Sequence, residues 1–319
     1  MWDSAAVSGA RSQKGIAVVK LSALWQDMRM LGNLFLVRTT SDPEKKTARL
    51  YEMYPPDRLV VEDTHYYNLG YWKPGCTTLD EAAETLADVV ADTAEFKPDD
   101  TVLDVGFGYG DQDFHWIDRY GPEKIIGINI TKIHIRVAQE RARKLGLLDR
   151  VDFREGSATA IPLPDNSVDK VVALESAFHF DTRADFFAEA FRVLKPGGVL
   201  VTADIIPMAG GKAKADIRSH AIKWIRIMID DSNWYPRDRY GDLLASAGFD
   251  TVEVRSIRDN VYEQWRQYHV RRVQDPSFQR RSSKLFYKMV AVAHRDQDTL
   301  TEELKSLDYV VASARKPAL

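Results

Sequence analysis

The stretch Thr101–Gly110, TVLDVGFGYG, limits what this chain can fold into more than any other. Its first half, Thr101-Val102-Leu103-Asp104-Val105, is a short apolar run with two β-branched valines, as expected of a strand buried in a parallel sheet. It runs straight into Gly106, Gly108 and Gly110. Glycines on alternate positions let the backbone turn sharply and bring a ligand against main-chain N–H groups that a Cβ would block. A helix should open near Asp111 and carry Phe114, Trp116 and Ile117. The unit reads as a nucleotide cradle, or as no more than a tight turn. The dinucleotide fingerprint is G-x-G-x-x-G, with an acidic residue about 20 positions further on. Here the third glycine comes one position early, and Asp104 stands two residues before the first. A carboxylate beside the loop is a poor neighbour for pyrophosphate and a suitable one for an ammonium group.

The remaining composition excludes several classes. A chain of 319 residues holds one large α/β domain with additions, or two small domains. A net charge of −3 gives no general attraction to nucleic acid or to an anionic membrane. No run approaches the ~18 apolar residues of a membrane span. The single cysteine, Cys76, rules out an internal disulfide framework and a Cys-rich zinc site, and suits a reducing cytoplasm. Lys14 and Lys20 interrupt the apolar stretch at the start, which therefore does not read as a signal peptide.

Along the chain, Leu21, Leu24, Trp25, Met28, Leu31 and Phe35 recur at helical spacing. This stripe is a lid, an oligomer contact or simple packing, with packing the default. A second helix should cover Pro43–Met53. Residues 65–75 then place four aromatics, Tyr66, Tyr67, Tyr71 and Trp72, in seven residues before Pro74 and Gly75. Such a loop fits no regular element and can cover a ligand from outside a sheet. Thr78 and Glu81 have capping-box spacing at the head of the next helix. From residue 101 the pattern alternates strand and helix, predicting an α/β, doubly wound sheet. Its strands are 101–105, 124–130, 151–154, 167–174 and 199–206, with late strands at 251–257 and 307–314. The turn 195–198 should stop the helix 185–194. Residues 213–230 read as a helix within a cap insertion at about 207–235, and 261–292 as a helix in two pieces broken near Pro276. The organisation expected is N-terminal helices and aromatic loop over 1–75, then one Rossmann-like domain over 76–319 with a helical lid.

The spacing D-x-G-x-G-x-G from Asp104 to Gly110 resembles motif I of the class I S-adenosylmethionine-dependent methyltransferases. The turn Leu194-Lys195-Pro196-Gly197-Gly198 is similar to the one before their fifth strand. Further blocks extend the likeness: residues 68–75 (NLGYWKPG), residues 174–177 (LESA) with His179, residues 204–207 (DIIP) and residues 312–317 (ASARKP). These resemble the erythromycin sugar O-methyltransferase group, over most of the chain beyond about residue 55. The resemblance implies a seven-stranded Rossmann-like sheet and S-adenosylmethionine as cofactor. Asp104, Gly106, Gly108 and Gly110 would cradle its methionine half, Asn129 the ribose, and Ser157 and Ala158 the adenine. Two positions depart from the family pattern. Asn129 stands where Asp or Glu is usual, and Ser157 replaces an acidic residue before Ala158. The group methylates small natural products in bacterial secondary metabolism, antibiotic biosynthesis included, which implies a cytoplasmic enzyme and a small-molecule acceptor.

Methyl transfer asks the protein to position a nucleophile and remove its proton. Glu175 and His179 fall just past the fourth strand, at the carboxyl edge where open α/β sheets bind ligands. An imidazole is a suitable base for a sugar hydroxyl, with Glu175 orienting it or acting itself. Otherwise His179 is a loop histidine and Glu175 a cap. Tyr66, Tyr67, Trp72, Trp224, Trp234 and Tyr235 are the expected aromatic wall of the acceptor pocket. His65 could reach that pocket. His115, His134, His220, His269 and His294 read as surface or helix residues, and no pair has metal-ligand spacing. The basic run from Arg266 to Lys288 reads as a solvated helix face. The expected activity is O-methylation of a small natural product, a glycosylated one included, with no metal, no nucleic acid and no membrane partner. A homo-oligomer contact through the N-terminal helix goes with it. Two alternatives stay open: C-methylation of a prenyl diphosphate, with Glu175 as base and Mg²⁺, and a nucleotide-binding protein of the NAD type.

Overall fold

The computed structural model describes residues 28, 31–33, 35–53 and 60–318. Leu21, Leu24 and Trp25 of the predicted stripe lie outside the described residues, while Met28, Leu31 and Phe35 present more than half their surface to solvent.

Seven strands form one mixed sheet in the order β3-β2-β1-β4-β5-β7-β6. They are β1 (Thr101–Val105), β2 (Lys124–Asn129), β3 (Val151–Glu155), β4 (Val168–Leu174), β5 (Leu194–Pro207), β6 (Asp250–Ser256) and β7 (Leu307–Arg315). The first five are parallel; β7 runs antiparallel between β5 and β6. Strand order reverses between β1 and β4, and the crevice beyond their carboxyl ends is where such sheets bind ligands.

The strands are apolar because both faces are covered. One face packs on α2 (Leu79–Ala94), whose Ala82, Ala83, Leu86, Ala87, Val90 and Ala91 are fully buried. Its alanines let the helix lie close to the sheet, and the Thr78/Glu81 capping box fixes its start. On that side also lie α3 (Asp111–Arg119) and α4 (Lys132–Leu145). The opposite face packs on α5 (Arg183–Val193) and α7 (Arg237–Ser246). The short helix α1 (Pro43–Tyr51), N-capped by Asp42, lies at the carboxyl edge of the sheet.

Three local expectations are corrected. The segment 195–198 does not end the helix as a free turn: β5 already begins at Leu194, paired with Val168, and a register shift absorbs Pro196 and Gly197. Residues 213–230 are not one helix. A 3₁₀ turn (Lys214–Asp216) and the six-residue α6 (Lys223–Met228) replace it. The cause is the buried Glu303 carboxylate, which accepts from the backbone N–H groups of Arg218 and Ser219 at 2.5 and 2.7 Å and holds them out of a helix. The segment 261–292 forms three helices, α8 (Tyr262–Gln274), α9 (Pro276–Arg281) and α10 (Lys284–Ala293), because Asp275 and Ser283 each start a new one with a side-chain cap. Glu303 itself sits on α11 (Gln297–Leu304).

Candidate active site

Local chain chemistry builds a cleft of about 830 Å³ at the carboxyl ends of β1, β2 and β4. Its floor is the glycine loop. Gly106 has φ +95°, and a Cβ there would stand 2.4 Å from Ser176 Cβ, so this glycine lets the loop pack against the residue after Glu175. Gly108 has φ +58°, and a Cβ there would meet nothing nearer than Tyr67 at 4.0 Å. Its missing side chain therefore opens onto the cleft. Gly110 serves packing instead: a Cβ would press on Phe153 and Phe114 at 3.1 and 3.2 Å.

Of the predicted residues, Gly106, Gly108, Asn129, Ala158, Tyr67, Glu175 and His179 line the cleft together. Asp104 does not. It is fully buried behind Gln112, whose Nε2 donates to it at 3.0 Å, and Gln112 is the cleft-facing member of the pair. Burial pushes the Asp104 carboxyl up to about 7. Asp113 is fully buried beside it, and burial, then the Asp104 charge, push its pKa well above the ordinary carboxyl value. Ser157 stands behind the rim, donating to Glu44.

The aromatic wall is corrected in membership. Tyr66 and Trp72 are buried in the core, with Trp72 packed on Tyr268 at 5.5 Å between ring centroids. Trp224 backs Phe178 at 5.5 Å, and Tyr235 covers the Arg183 guanidinium at 5.3 Å. Neither these nor Trp234 line the cleft, and none of its described lining comes from residues 207–235. The helical cover over the cleft is α1, which contributes Glu44, Thr47 and Tyr51.

The aromatic lining of the cleft includes Tyr51, Tyr67, Tyr109, His134 and Phe180. Tyr67 stacks on Tyr109 with centroids 5.7 Å apart, and the His134 ring lies 4.5 Å from Tyr109 and 5.6 Å from both Tyr51 and Tyr67. His134 is helical, as read from the sequence, yet buried, and burial pulls its pKa down to about 3. His65 also lines the cleft, above Asp111. His269 and His294 are helical or helix-terminal, stacked on each other at 5.0 Å and away from the cleft. Arg266 and Arg272 of the basic run are tied up in ion pairs with Glu263 and Asp275.

His179 closes a 3₁₀ turn after β4, and its Nε2 lies 2.7 Å from the Tyr51 hydroxyl. Burial pulls its pKa down to about 3; the Met228 backbone opposes this and the Arg183 charge adds to it. The imidazole is therefore neutral throughout the physiological range. Arg183 is itself fully buried in a two-point ion pair with Asp204, at 2.8 and 3.3 Å. Glu175, at φ +48°, accepts on Oε1 from the Leu69 N–H and the Tyr309 hydroxyl, both at 2.6 Å. Burial raises its pKa to about 8 in spite of those two bonds, and Asp204 adds to the rise.

The sequence reading missed Glu44, Thr47, Tyr51, Tyr109, Gln112 and Thr131. A signal for the first three was present: residues 44, 47 and 51 fall on one face of the helix that the sequence predicts. Nothing local pointed that face at the sheet edge.

A doubly wound sheet with one antiparallel strand near its edge, a glycine loop at its switch point and a neutral histidine lining the same cleft define the class: a Rossmann-like group-transfer enzyme. A family model described as "Methyltransferase domain" matches residues 103–202. The chain is 43% identical over 285 residues to erythromycin 3''-O-methyltransferase of Saccharopolyspora erythraea, spanning 88% of this chain and 93% of that one. It is 29% identical over 266 residues to 27-O-demethylrifamycin SV methyltransferase of Amycolatopsis mediterranei, spanning 82% and 92%. In fold it is similar to the geranyl diphosphate C-methyltransferase of Streptomyces coelicolor A3(2), with a TM-score of 0.64 at 18% identity over 87% of this chain and 99% of that one. The chain belongs to the S-adenosylmethionine-dependent methyltransferases, in the family of the erythromycin 3''-O-methyltransferase. The methyl donor of that family is S-adenosylmethionine. The residues present fit that ligand, because Gly108 leaves the loop backbone open to the cleft and Asn129 and Ala158 stand along the same wall.

Proposed function

We propose that the enzyme methylates a hydroxyl of a small natural product, with glycosylated acceptors as the leading class. The names of the two curated relatives support an antibiotic-like acceptor. The observation that supports the reading is the His179–Tyr51 hydrogen bond, which holds a neutral imidazole in the cleft lining, where an acceptor hydroxyl would meet it. Among the described residues the lining carries no lysine or arginine, so a diphosphate would meet no cationic partner there.

When bound, S-adenosylmethionine supplies an electrophilic methyl group on a sulfonium. The loop at Gly106 and Gly108 would hold its methionine half, with Asp104 acting from behind through Gln112. Asn129 would face the ribose, and Ala158, backed by Ser157, the adenine. His179 takes the acceptor proton at Nε2, directly or through the Tyr51 hydroxyl, as the acceptor oxygen becomes the nucleophile. Burial makes this imidazole a weak base, which suits an acceptor that gives up its proton only as its oxygen forms the new bond. Glu175 fixes the loop at Leu69 and the end of β7 at Tyr309. The same reading includes a homo-oligomer contact through the N-terminal stripe, of which Met28, Leu31 and Phe35 are exposed, and a cytoplasmic place of work; sedimentation of the purified protein tests the contact.

Labelled cofactor incubated with deoxysugar-bearing macrolides and with prenyl diphosphates, each with and without chelator, tests the acceptor. We expect transfer to a macrolide hydroxyl that chelator leaves intact. His179→Ala should lower turnover by about 10²–10⁴-fold with S-adenosylhomocysteine affinity retained. Transfer confined to a prenyl diphosphate and lost in chelator would refute the reading and move the base to Glu175.

A further inference from the structure

Ribose hydroxyls donate as well as accept, and a protein that takes both of their protons needs acceptor atoms beside the end of β2. Asn129, which stands there, has one acceptor, and Oδ1 already takes the Thr131 backbone N–H at 3.0 Å. Its Nδ2 faces His134 Nδ1 at 3.5 Å. Asn129 thus keeps one lone pair of a single oxygen for a ligand, where a carboxylate would offer two oxygens. Ser157, in the other place where the family pattern has an acid, gives its proton to Glu44 and so has no hydrogen left for a ligand acceptor. The described lining contains two carboxylates. Glu175 is engaged on Oε1 by Leu69 and Tyr309, at the far side of β4. Glu44 is the other, and both nearby departures lead to it.

The connection is geometrically short. Asn129 pairs with Glu155 across β2 and β3, and the Gly156 N–H donates to the Asn129 carbonyl at 3.2 Å. Ser157 and Ala158 follow directly, so the Ser157 hydroxyl carries the Glu44 carboxylate to the edge where a nucleoside would lie. Glu44 is half-buried in the first turn of α1, and Ser157 engages only its Oε1.

We propose that Glu44, on the N-terminal helix, is the acidic nucleoside-binding residue of this enzyme, accepting from the cofactor's ribose hydroxyls in place of the strand-end carboxylate that Asn129 lacks. Ser157 is its positioning residue. Cofactor and helix α1 then hold each other in place. The inference rests on S-adenosylmethionine as the methyl donor.

Calorimetric titration with S-adenosylhomocysteine and with its 2′,3′-dideoxyribose analogue tests this without any turnover. A charge-assisted hydrogen bond is worth about 1.5–3 kcal/mol, so Glu44→Gln should weaken S-adenosylhomocysteine binding about 10- to 100-fold. The same substitution should change the affinity of the dideoxy analogue less than about 3-fold, because that analogue has no hydroxyls to offer. Ser157→Ala should cause a smaller loss confined to the hydroxylated ligand. Unchanged S-adenosylhomocysteine affinity in Glu44→Gln, or equal losses for both ligands, would overturn the proposal while leaving the cofactor reading standing. Failure of the unaltered protein to bind S-adenosylhomocysteine would overturn both.

Discussion

Alanine placed at Gly106 and at Gly108, one at a time, separates what the glycine loop does for the fold from what it does for the ligand. Both residues have positive φ, at +95° and +58°. An L-residue in left-handed backbone costs roughly 1–2 kcal/mol. At Gly106 the new methyl would also stand 2.4 Å from Ser176 Cβ and 2.8 Å from its Oγ. Ser176 is not free to move aside, since it is buried and its hydroxyl donates to the Val105 carbonyl at 2.5 Å. Overpacking of this kind adds about 1–3 kcal/mol. Gly106→Ala should therefore lose about 2–5 kcal/mol of stability in urea unfolding. At Gly108 the nearest atom is Tyr67 Cδ2 at 4.0 Å, so only the conformational cost of about 1–2 kcal/mol applies. The methyl then lies in the cleft, and S-adenosylhomocysteine affinity should fall at least about 10-fold, with Gly108→Val abolishing it. Measured in a Ser176→Gly background, Gly106→Ala should cost only the backbone part. Equal destabilisation by the two alanines, or normal ligand affinity in Gly108→Ala, would refute this division of labour.

Three further outcomes follow from the groups around the base. Arg183→Met strands the fully buried Asp204 and should cost about 3–5 kcal/mol in urea unfolding; a loss under about 1 kcal/mol would mean that Tyr240 and Asn233 hold the junction without it. Glu175, raised from 4.5 to about 8 by burial, makes the folded protein bind the extra proton, so its contribution is complete below pH 4.5 and is lost as pH rises through about 8. Glu175→Gln should flatten the fall in stability between those limits, and a curve parallel to that of the unaltered protein would contradict the assignment. Tyr51→Phe keeps the ring contacts to Tyr67 and His134 but removes the bond to His179, so turnover should drop about 3- to 10-fold with S-adenosylhomocysteine affinity unchanged.

The sheet was legible because each parallel strand is a separate apolar run ended by a polar or glycine turn, as in residues 101–110 and 168–174. The positions of Gly106, Gly108, Asn129 and Ala158 at the cleft were legible for the same reason: motif spacing and strand ends place them without knowledge of the rest. Asp104 was misjudged in depth, because spacing gives its distance from the loop but not that Gln112 and Asp113 on the next helix cover it. The aromatic wall was misassigned because residue type does not separate a pocket wall from an anchor. Trp72 fills the core against Tyr268, while Tyr109, inside the glycine loop, faces the cleft. Segment 213–230 failed for a different reason. The carboxylate that unwinds it, Glu303, lies 84 and 85 residues further along the chain, beyond any local pattern.

The helix α1 shows why function is harder to read here than fold. Its helical character and its polar face were both present in nine residues, but which surface that face meets depends on the chain leading into it. Once docked, Glu44 reaches the edge formed by Asn129 and Ser157, and Tyr51, two turns on and about 10 Å along the axis, reaches His179. One short element thus spans the cleft from its nucleoside end to its base. Neither contact can form without the other unless the helix bends, and nine residues with a side-chain cap and Pro at the first turn do not bend readily. Placement of the base partner and closure over the ligand are therefore a single event in this architecture. A substitution that undocks the helix should lower cofactor affinity and turnover together, whereas Tyr51→Phe should separate them.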